Sequence, residues 1–403
     1  MGKPRIVVID AGSEATSAIE TVMRYRRWVS LRVDVSDALS AIEGATVILV
    51  LEGPDGEGTQ LLRRIRSAGS EAARLLLCDA RCAATSVARG EPAHQVVVAP
   101  ATPDKVMAAI KRALGVRDLL RDPRVCSVAG NLGTLPAMPR IWTALNRLLD
   151  SDTASMDDAA QLVERDVGLA SKVLQLVNSG MFGVKRSVGS LKHALQLLGL
   201  KLVRDLVLSV ELLSDLEAPE LFERIIPISA QRQAHLVATA ARAVAPRAAL
   251  ETAFTAGLLS QLGRLVFLSR TPDRYRDVLV AVEAGSALAA AEIEIYSTDG
   301  PTLGAWLLAS WGLPHEVVEA VRWCERPEGA SGRGAPLALS VYLASRLVEE
   351  AAWASVGRSV ALIGRAELEP WGLSDSLDEW REHVRELFRQ TDPAPGRSGA
   401  LAG

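Results

Sequence analysis

Histidine is scarce in this chain. The 403 residues include five, His94, His193, His235, His315 and His383, scattered over different segments. A hydrolytic divalent-metal site needs several convergent imidazoles and carboxylates. Ligand number alone therefore disfavours a metal hydrolase. Cysteine is nearly as rare. Cys78, Cys82, Cys126 and Cys324 have neither zinc nor redox spacing and read as reduced thiols of a cytoplasmic protein. No apolar run reaches membrane-spanning length, and the N-terminus lacks a signal-peptide core. Neither sign of charge dominates. Lys and Arg total 45 against 48 Asp and Glu, a net charge of −3. That balance gives no general reason to expect nucleic acid or an acidic membrane surface. No basic helix with base-reading side chains stands out either.

What is present is a globular composition, 49% hydrophobic, in a chain long enough for two or three domains. Near the N-terminus, RIVVI at residues 5–9 ends at Asp10, and VILVL at 47–51 precedes a glycine-rich loop. Two more apolar runs follow at 75–77 and 96–98, with helical stretches at 60–66 and 104–114. Strands alternating with helices predict a parallel sheet covered on both faces. Order and length, with GTQLLRRIR at 58–66 and APATPDKVMAAIKRAL at 99–114, resemble a response-regulator receiver domain over residues 4–116. The resemblance implies an acidic pair for magnesium, a phosphoacceptor Asp, a Thr or Ser and a Lys. Here the acidic pair is Asp10 and Ala11. The acceptor position falls on Val50 or, with a shift of two, on Glu52. The remaining positions fall on Asp79 and Ala99. The expectation is a receiver fold without phosphoacceptor chemistry, in which Glu52 could serve as a permanent negative charge.

The stretch from 135 to 213 reads as short amphipathic helices. Ser155 and Asp158 have capping-box spacing, with Asp for the usual Glu or Gln. Asp166 can cap a helix with an apolar stripe at Leu169, Val173, Leu176 and Val177. Asn178 and Gly180 suit its left-handed end. Ser190 can cap a third helix, with Gly199 just past its end. The Leu135-Pro136…Met138-Pro139 start, Glu164-Arg165-Asp166, Asn178-Ser179 and Ala194-Leu195…Leu198-Gly199 together resemble an HDOD domain, an output module of bacterial signalling proteins. Such domains look like HD-type metal phosphohydrolases whose metal site is lost. On that resemblance the old HD-site positions fall on Gln233, Ser260, Gln261, Gly300, Cys324 and Glu325. His235 lies two residues beyond Gln233, about 200° round a helix, and cannot serve the same site. These residues imply either a satisfied polar network or a small-ligand pocket.

The expected architecture is an α/β doubly wound parallel sheet at 1–116, a linker at 117–134 that could begin as helix, an all-α HD-like domain at 135–390 and a disordered tail at 391–403. The expected function is a non-catalytic bacterial signalling or scaffold protein, with no cofactor, no metal and no catalytic residue. Its partners would be unidentified signalling proteins. One alternative is a sensor binding a nucleotide-like second messenger in the degenerate HD cavity. Another is an HD-type phosphohydrolase with relocated ligands.

Overall fold

The computed structural model describes residues 5–10, 29–53, 56–67, 72–79, 95–99, 101–133, 135–137, 139–149, 155–178, 188–216, 219–311, 313–330, 334–358 and 360–391. Five strands come first: β1 (Arg5–Asp10), β2 (Val29–Asp34), β3 (Val47–Leu51), β4 (Ala73–Cys78) and β5 (Gln95–Val98). Among them lie α1 (Ala38–Ala41) and α2 (Glu57–Ser67), followed by α3 (Pro103–Leu120) and α4 (Pro123–Asn131). The chain then runs through α5 (Arg140–Leu149), α6 (Met156–Glu164), α7 (Val167–Asn178), α8 (Leu191–Leu198), α9 (Leu200–Asp215) and α10 (Pro219–Ile225). Next come α11 (Ala230–Val244), α12 (Leu250–Leu259), α13 (Leu262–Arg270), α14 (Pro272–Glu283), α15 (Leu288–Tyr296), α16 (Gly300–Ser310) and α17 (His315–Arg322). The last helices are α18 (Gly334–Ser355), α19 (Arg365–Leu368) and α20 (Leu377–Gln390). Contacts divide the chain into one unit of residues 1–131, 143–154 and 305–318, and a second of 132–142, 155–304 and 319–403.

The sheet in the first unit is parallel throughout, with strand order β2-β1-β3-β4-β5. Side chains alternate between its faces. Val7, Ile9, Ile48 and Val50 pack with Leu61, Leu62 and Ile65 of α2. Ile6, Val8, Leu49, Leu51, Leu75 and Leu77 pack with Val106, Ala109 and Ile110 of α3. Burial on both faces is why the strands read as unbroken apolar runs. Each such side chain contributes about 1.5–3 kcal/mol on burial.

The segment expected as a linker is mostly helix. α3 runs to Leu120, and α4 begins at Pro123. Asp122 accepts the Arg124 backbone N–H at 3.0 Å, and Pro123 suits a first helical position because its missing N–H would be unpaired anyway. The expected tail beyond Thr391 lies outside the described residues.

No strand occurs among the described residues of 135–391. The local signals set the short helices. Ser155 and Asp158 cap α6 reciprocally, at 2.7 and 3.2 Å. Asp166 accepts Leu169 N–H at 2.9 Å, and Ser190 accepts His193 N–H at 3.3 Å. Asn178 does more than end α7. Its amide exchanges two bonds with the Val188 backbone, at 2.9 and 2.7 Å, and so ties down the entry to α8. Gly180 lies outside the described residues. Gly199 has φ 81°, a conformation that costs glycine least, and it joins α8 to α9. α20, whose string is mostly charged, buries Leu377, Val384, Leu387 and Phe388. Arg232 of α11 lies 4.2 Å over the Phe388 ring and donates to its carbonyl at 3.0 Å. The charges on the other face pair with one another, as Arg389 does with Glu382 at 2.7 Å.

Candidate functional site

In the first unit Val50, Asp10 and Glu52 of the receiver-like positions take core, ion-pair and capping roles. Val50 is fully buried, on the sheet face that packs α1 and α2. Asp10 pairs with Arg32 of β2. Asp79 is exposed and Ala99 half-buried, while Ala11 lies outside the described residues. Glu52 follows β3 and turns back on α2. It accepts the Gly58 and Thr59 N–H groups, at 2.7 and 3.0 Å, and the Thr59 hydroxyl. These donors belong to the first turn of α2, where orphan N–H groups favour a carboxylate. A Cβ at Gly58 would sit 2.8 Å from Glu52 Oε1, so glycine is what lets the carboxylate approach. The Glu52 charge serves as a helix cap.

The second unit holds a buried ionic centre. Arg264 lies on α13, five residues past the last residue of α12, and is 4% exposed. Its Nε donates to Glu292 Oε1 at 2.8 Å and its Nη2 to Glu292 Oε2 at 3.3 Å. The same Nη2 donates to Glu325 Oε1 at 2.8 Å, and Nη1 to Gln261 Oε1 at 2.8 Å. Glu292, on α15 and fully buried, also accepts the Tyr275 hydroxyl at 2.6 Å and the Gly300 N–H at 2.8 Å. Four donors thus satisfy one carboxylate. That is what a buried ion pair needs to offset its desolvation.

The backbone delivers these groups. α15 ends at Ser297, which takes a left-handed φ of 66° and donates its N–H to Ile293 O at 2.8 Å. The conformation costs a non-glycine residue roughly 1–2 kcal/mol. It leads into Asp299-Gly300, the start of α16. Asp299 caps α16 through Thr302 N–H at 2.9 Å and pairs with Arg326. Gly300 is a contact residue. A Cβ there would lie 3.0 Å from Arg264 Cβ, and one at Gly263 would lie 2.0 Å from Gly300 O. α13 and α16 therefore touch backbone to backbone.

The electrostatics follow from burial. Burial alone would lower Arg264, but Glu292 and Glu325 hold its guanidinium well above its ordinary range. Burial raises Glu325, with Arg264 opposing and Glu292 and Asp299 adding to the rise. Burial raises the Cys324 thiol well above its usual value too, helped by Glu325.

Of the six positions expected from the HD resemblance, the structure gathers Gln261, Gly300 and Glu325 around Arg264 and Glu292. Cys324 is buried at their edge. Ser260 turns away and donates to Gly257 O at 2.8 Å. Gln233 is buried on α11, and its Oε1 has no partner among the described residues. Gln233 and Ser260 therefore stand apart from the Arg264 hydrogen-bond network. Sequence reasoning passes over Arg264 and Glu292. The available signal is a charge inside an apolar helix, Arg264 alone in LGRLVFL and Glu292 with Glu294 in AAAEIEIY, where a full-length solvent face is lacking.

The residues do not suit a hydrolytic metal. A guanidinium already bridges the two carboxylates, the glycine contact leaves no room for an imidazole at 300, and Gln261 brings no charge. No three His, Cys, Asp or Glu side chains among the described residues group as a metal site.

His235 is a core residue instead. Its Nδ1 donates to Gln231 O at 2.6 Å, and Nε2 lies 3.4 Å from Ser209 Oγ. Burial depresses its pKa from 6.5 to about 4. The unfolded chain then binds the extra proton first. His235's contribution is fully present above pH 6.5 and is lost as pH falls through about 4. The loss amounts to roughly 3 kcal/mol over that span. Urea unfolding of wild type and His235→Asn at pH 7.5 and 5 should show a smaller acid loss in the variant. Equal losses would mean that another group sets the acid response.

Comparison with known proteins places this unit. The family model of the HDOD domain matches residues 135–327. An uncharacterized protein of Treponema pallidum is 24% identical over 249 residues. That match covers 60% of this chain and 48% of the relative, so the chain spans about half of that protein's length. A structure from Marinobacter aquaeolei VT8, named for a proposed role in signal transduction, aligns with TM-score 0.52 and 23% identity. It covers 69% of this chain and 64% of its own, a likeness of fold. A structure from Shewanella amazonensis SB2B, named as a proposed phosphohydrolase, aligns with TM-score 0.47 and 20% identity, over 68% of this chain and 100% of its own. On the family match, the helical part of this chain is an HDOD domain over residues 135–327.

Proposed function

We propose that this chain is a signalling protein whose HDOD domain acts by binding protein partners and not by catalysis. The observation that carries the reading is the Arg264 guanidinium, which lies among Gln261, Glu325 and the Gly300-bound Glu292. Hydrolysis of a phosphoester in an HD-type site needs an open metal position and an activated water. A buried guanidinium that already holds both carboxylates supports neither. The N-terminal unit is best read as a receiver-like module. Its strand order, 2-1-3-4-5, is that of the flavodoxin-like doubly wound sheet. Its buried Val50 and helix-capping Glu52 argue against phosphoryl transfer. The Marinobacter name points the same way, toward signal transduction. No helix among the described residues is long and apolar enough to cross a membrane. With both chemistries set aside, regulation would act through partner affinity.

The deciding experiment incubates the full chain with manganese, magnesium or ferrous iron and chromogenic phosphomonoester and phosphodiester substrates. The expected result is no turnover above buffer with metal. Metal-dependent turnover that disappears in Glu325→Gln or Asp299→Asn would establish a hydrolase with relocated ligands instead.

A further inference from the structure

The carbonyl end of α3 is held from two sides. The last carbonyls of a helix lack partners within it. Here Leu120 O accepts the Cys126 Sγ–H at 3.2 Å and the Trp306 indole Nε1–H at 3.4 Å. Cys126 lies close by on α4, but Trp306 is 186 residues away, on α16. Residues 305–318 belong with 1–131 in the first unit. The family match begins at 135, so Trp306 lies inside it and Leu120 outside it.

α16 is thus one helix divided between the two units, with residues 300–304 in the second and 305–310 in the first. In the second unit its Gly300 N–H is held by Glu292 at 2.8 Å, and Gly300 and Gly304 meet the Gly263 backbone. Trp306 follows Gly300 by six residues, about 9 Å along the axis. Pro301 sits in the first turn, where its missing N–H removes no helical bond. α16 therefore moves as a rod. In the first unit α3 spans 18 residues and lays Val106, Ala109, Ile110 and Ala113 on the sheet.

We propose that α16 is a coupling helix, seated by Trp306 on the end of α3, so that a displacement of α3 on the sheet is passed to Gly300 and its Glu292 acceptor. A half-buried indole needs a partner for its N–H, and α3 supplies it. Coupling requires two arrangements, here the bonded and the released indole. At 3.4 Å the bond is longer than the usual range, so little free energy separates them. This deepens the signalling reading above and rests on it.

Hydrogen exchange of the 298–304 segment in the full chain tests the proposal. Ile110→Val loosens α3 on one face of the sheet, and Ile65→Val loosens α2 on the other. Both remove one methyl group from a fully buried side chain. Ile110→Val should speed exchange at 298–304 on the order of 2- to 30-fold, the span of coupling through packed networks. Ile65→Val should leave it unchanged. Trp306→Phe keeps a ring and removes the N–H. It should speed exchange by itself, and adding Ile110→Val to it should change nothing more, the non-additivity of a shared route. Additive effects, equal effects of the two Ile→Val changes, or no effect of Ile110→Val overturn the proposal. Should Trp306→Phe fail to fold, the contrast between the two Ile→Val variants decides alone. Failure here leaves the non-catalytic reading standing, since the phosphoester assay tests that separately.

Discussion

Gly263→Ala should cost the HDOD domain about 3 kcal/mol or more, although it adds one methyl group. The new Cβ would lie 2.0 Å from Gly300 O and 2.4 Å from Gly304 N. Both are backbone atoms of α16, so no rotamer change relieves the clash. The helices must part. Local preference runs the other way, since alanine favours a helix over glycine by about 1 kcal/mol. Over-packing costs roughly 1–3 kcal/mol where side chains can give, and more where they cannot. Parting the helices also draws the Gly300 N–H away from Glu292, which couples packing to the ionic centre. Gly130→Ala is the control. Gly130 lies in helix α4, and a methyl group added there would meet nothing within 4 Å, so alanine should gain about 0.4–1 kcal/mol. Urea unfolding followed by tryptophan fluorescence measures both. If the two variants behave alike, α13 and α16 are not in contact at Gly263.

The second large effect is an asymmetry between the two carboxylates that share Arg264. Glu292→Ala should cost about 3–5 kcal/mol, because it takes from the buried guanidinium its fully buried counter-charge and leaves the Tyr275 hydroxyl and Gly300 N–H without their acceptor. Glu325→Ala should cost under about 1 kcal/mol, because its partner keeps Glu292 and water reaches that side. Tyr275→Phe should fall between, at about 1–2 kcal/mol for one lost bond to a charged acceptor. The same urea series at neutral pH ranks the three. An equal cost for Glu292→Ala and Glu325→Ala would mean that the centre is open to solvent on both sides and is not a sealed pair.

Several features are legible in the sequence because they are local. The reciprocal Ser155–Asp158 cap, the Asp166 cap and the Ser190 cap each join residues three apart. The apolar runs at 5–9 and 47–51 announce strands buried on both faces, since no polar alternation is present. The Asp122-Pro123 helix start carries a local signal too, but the flanking charge and glycines make the segment resemble a tether. α20 is hard to read for a related reason. Its charges dominate the string, and its few large apolar residues carry the buried face.

By itself the sequence determined the helical character of residues 135–390, the alternation of strands and helices before it, and the shortage of metal ligands. Each of these depends on nearby residues or on composition. Only the tertiary structure decided what the charges do. Arg264 meets Glu292 28 residues away and Glu325 61 residues away. Gly300 reads as a lost ligand in the string and is a helix contact in space. Glu52 reads as a stand-in for a phosphoacceptor and is the cap of α2. The physical reason is the same in all three. A buried charge or a contact glycine is defined by the partner that packing brings to it, and periodicity along one helix carries no information about that partner.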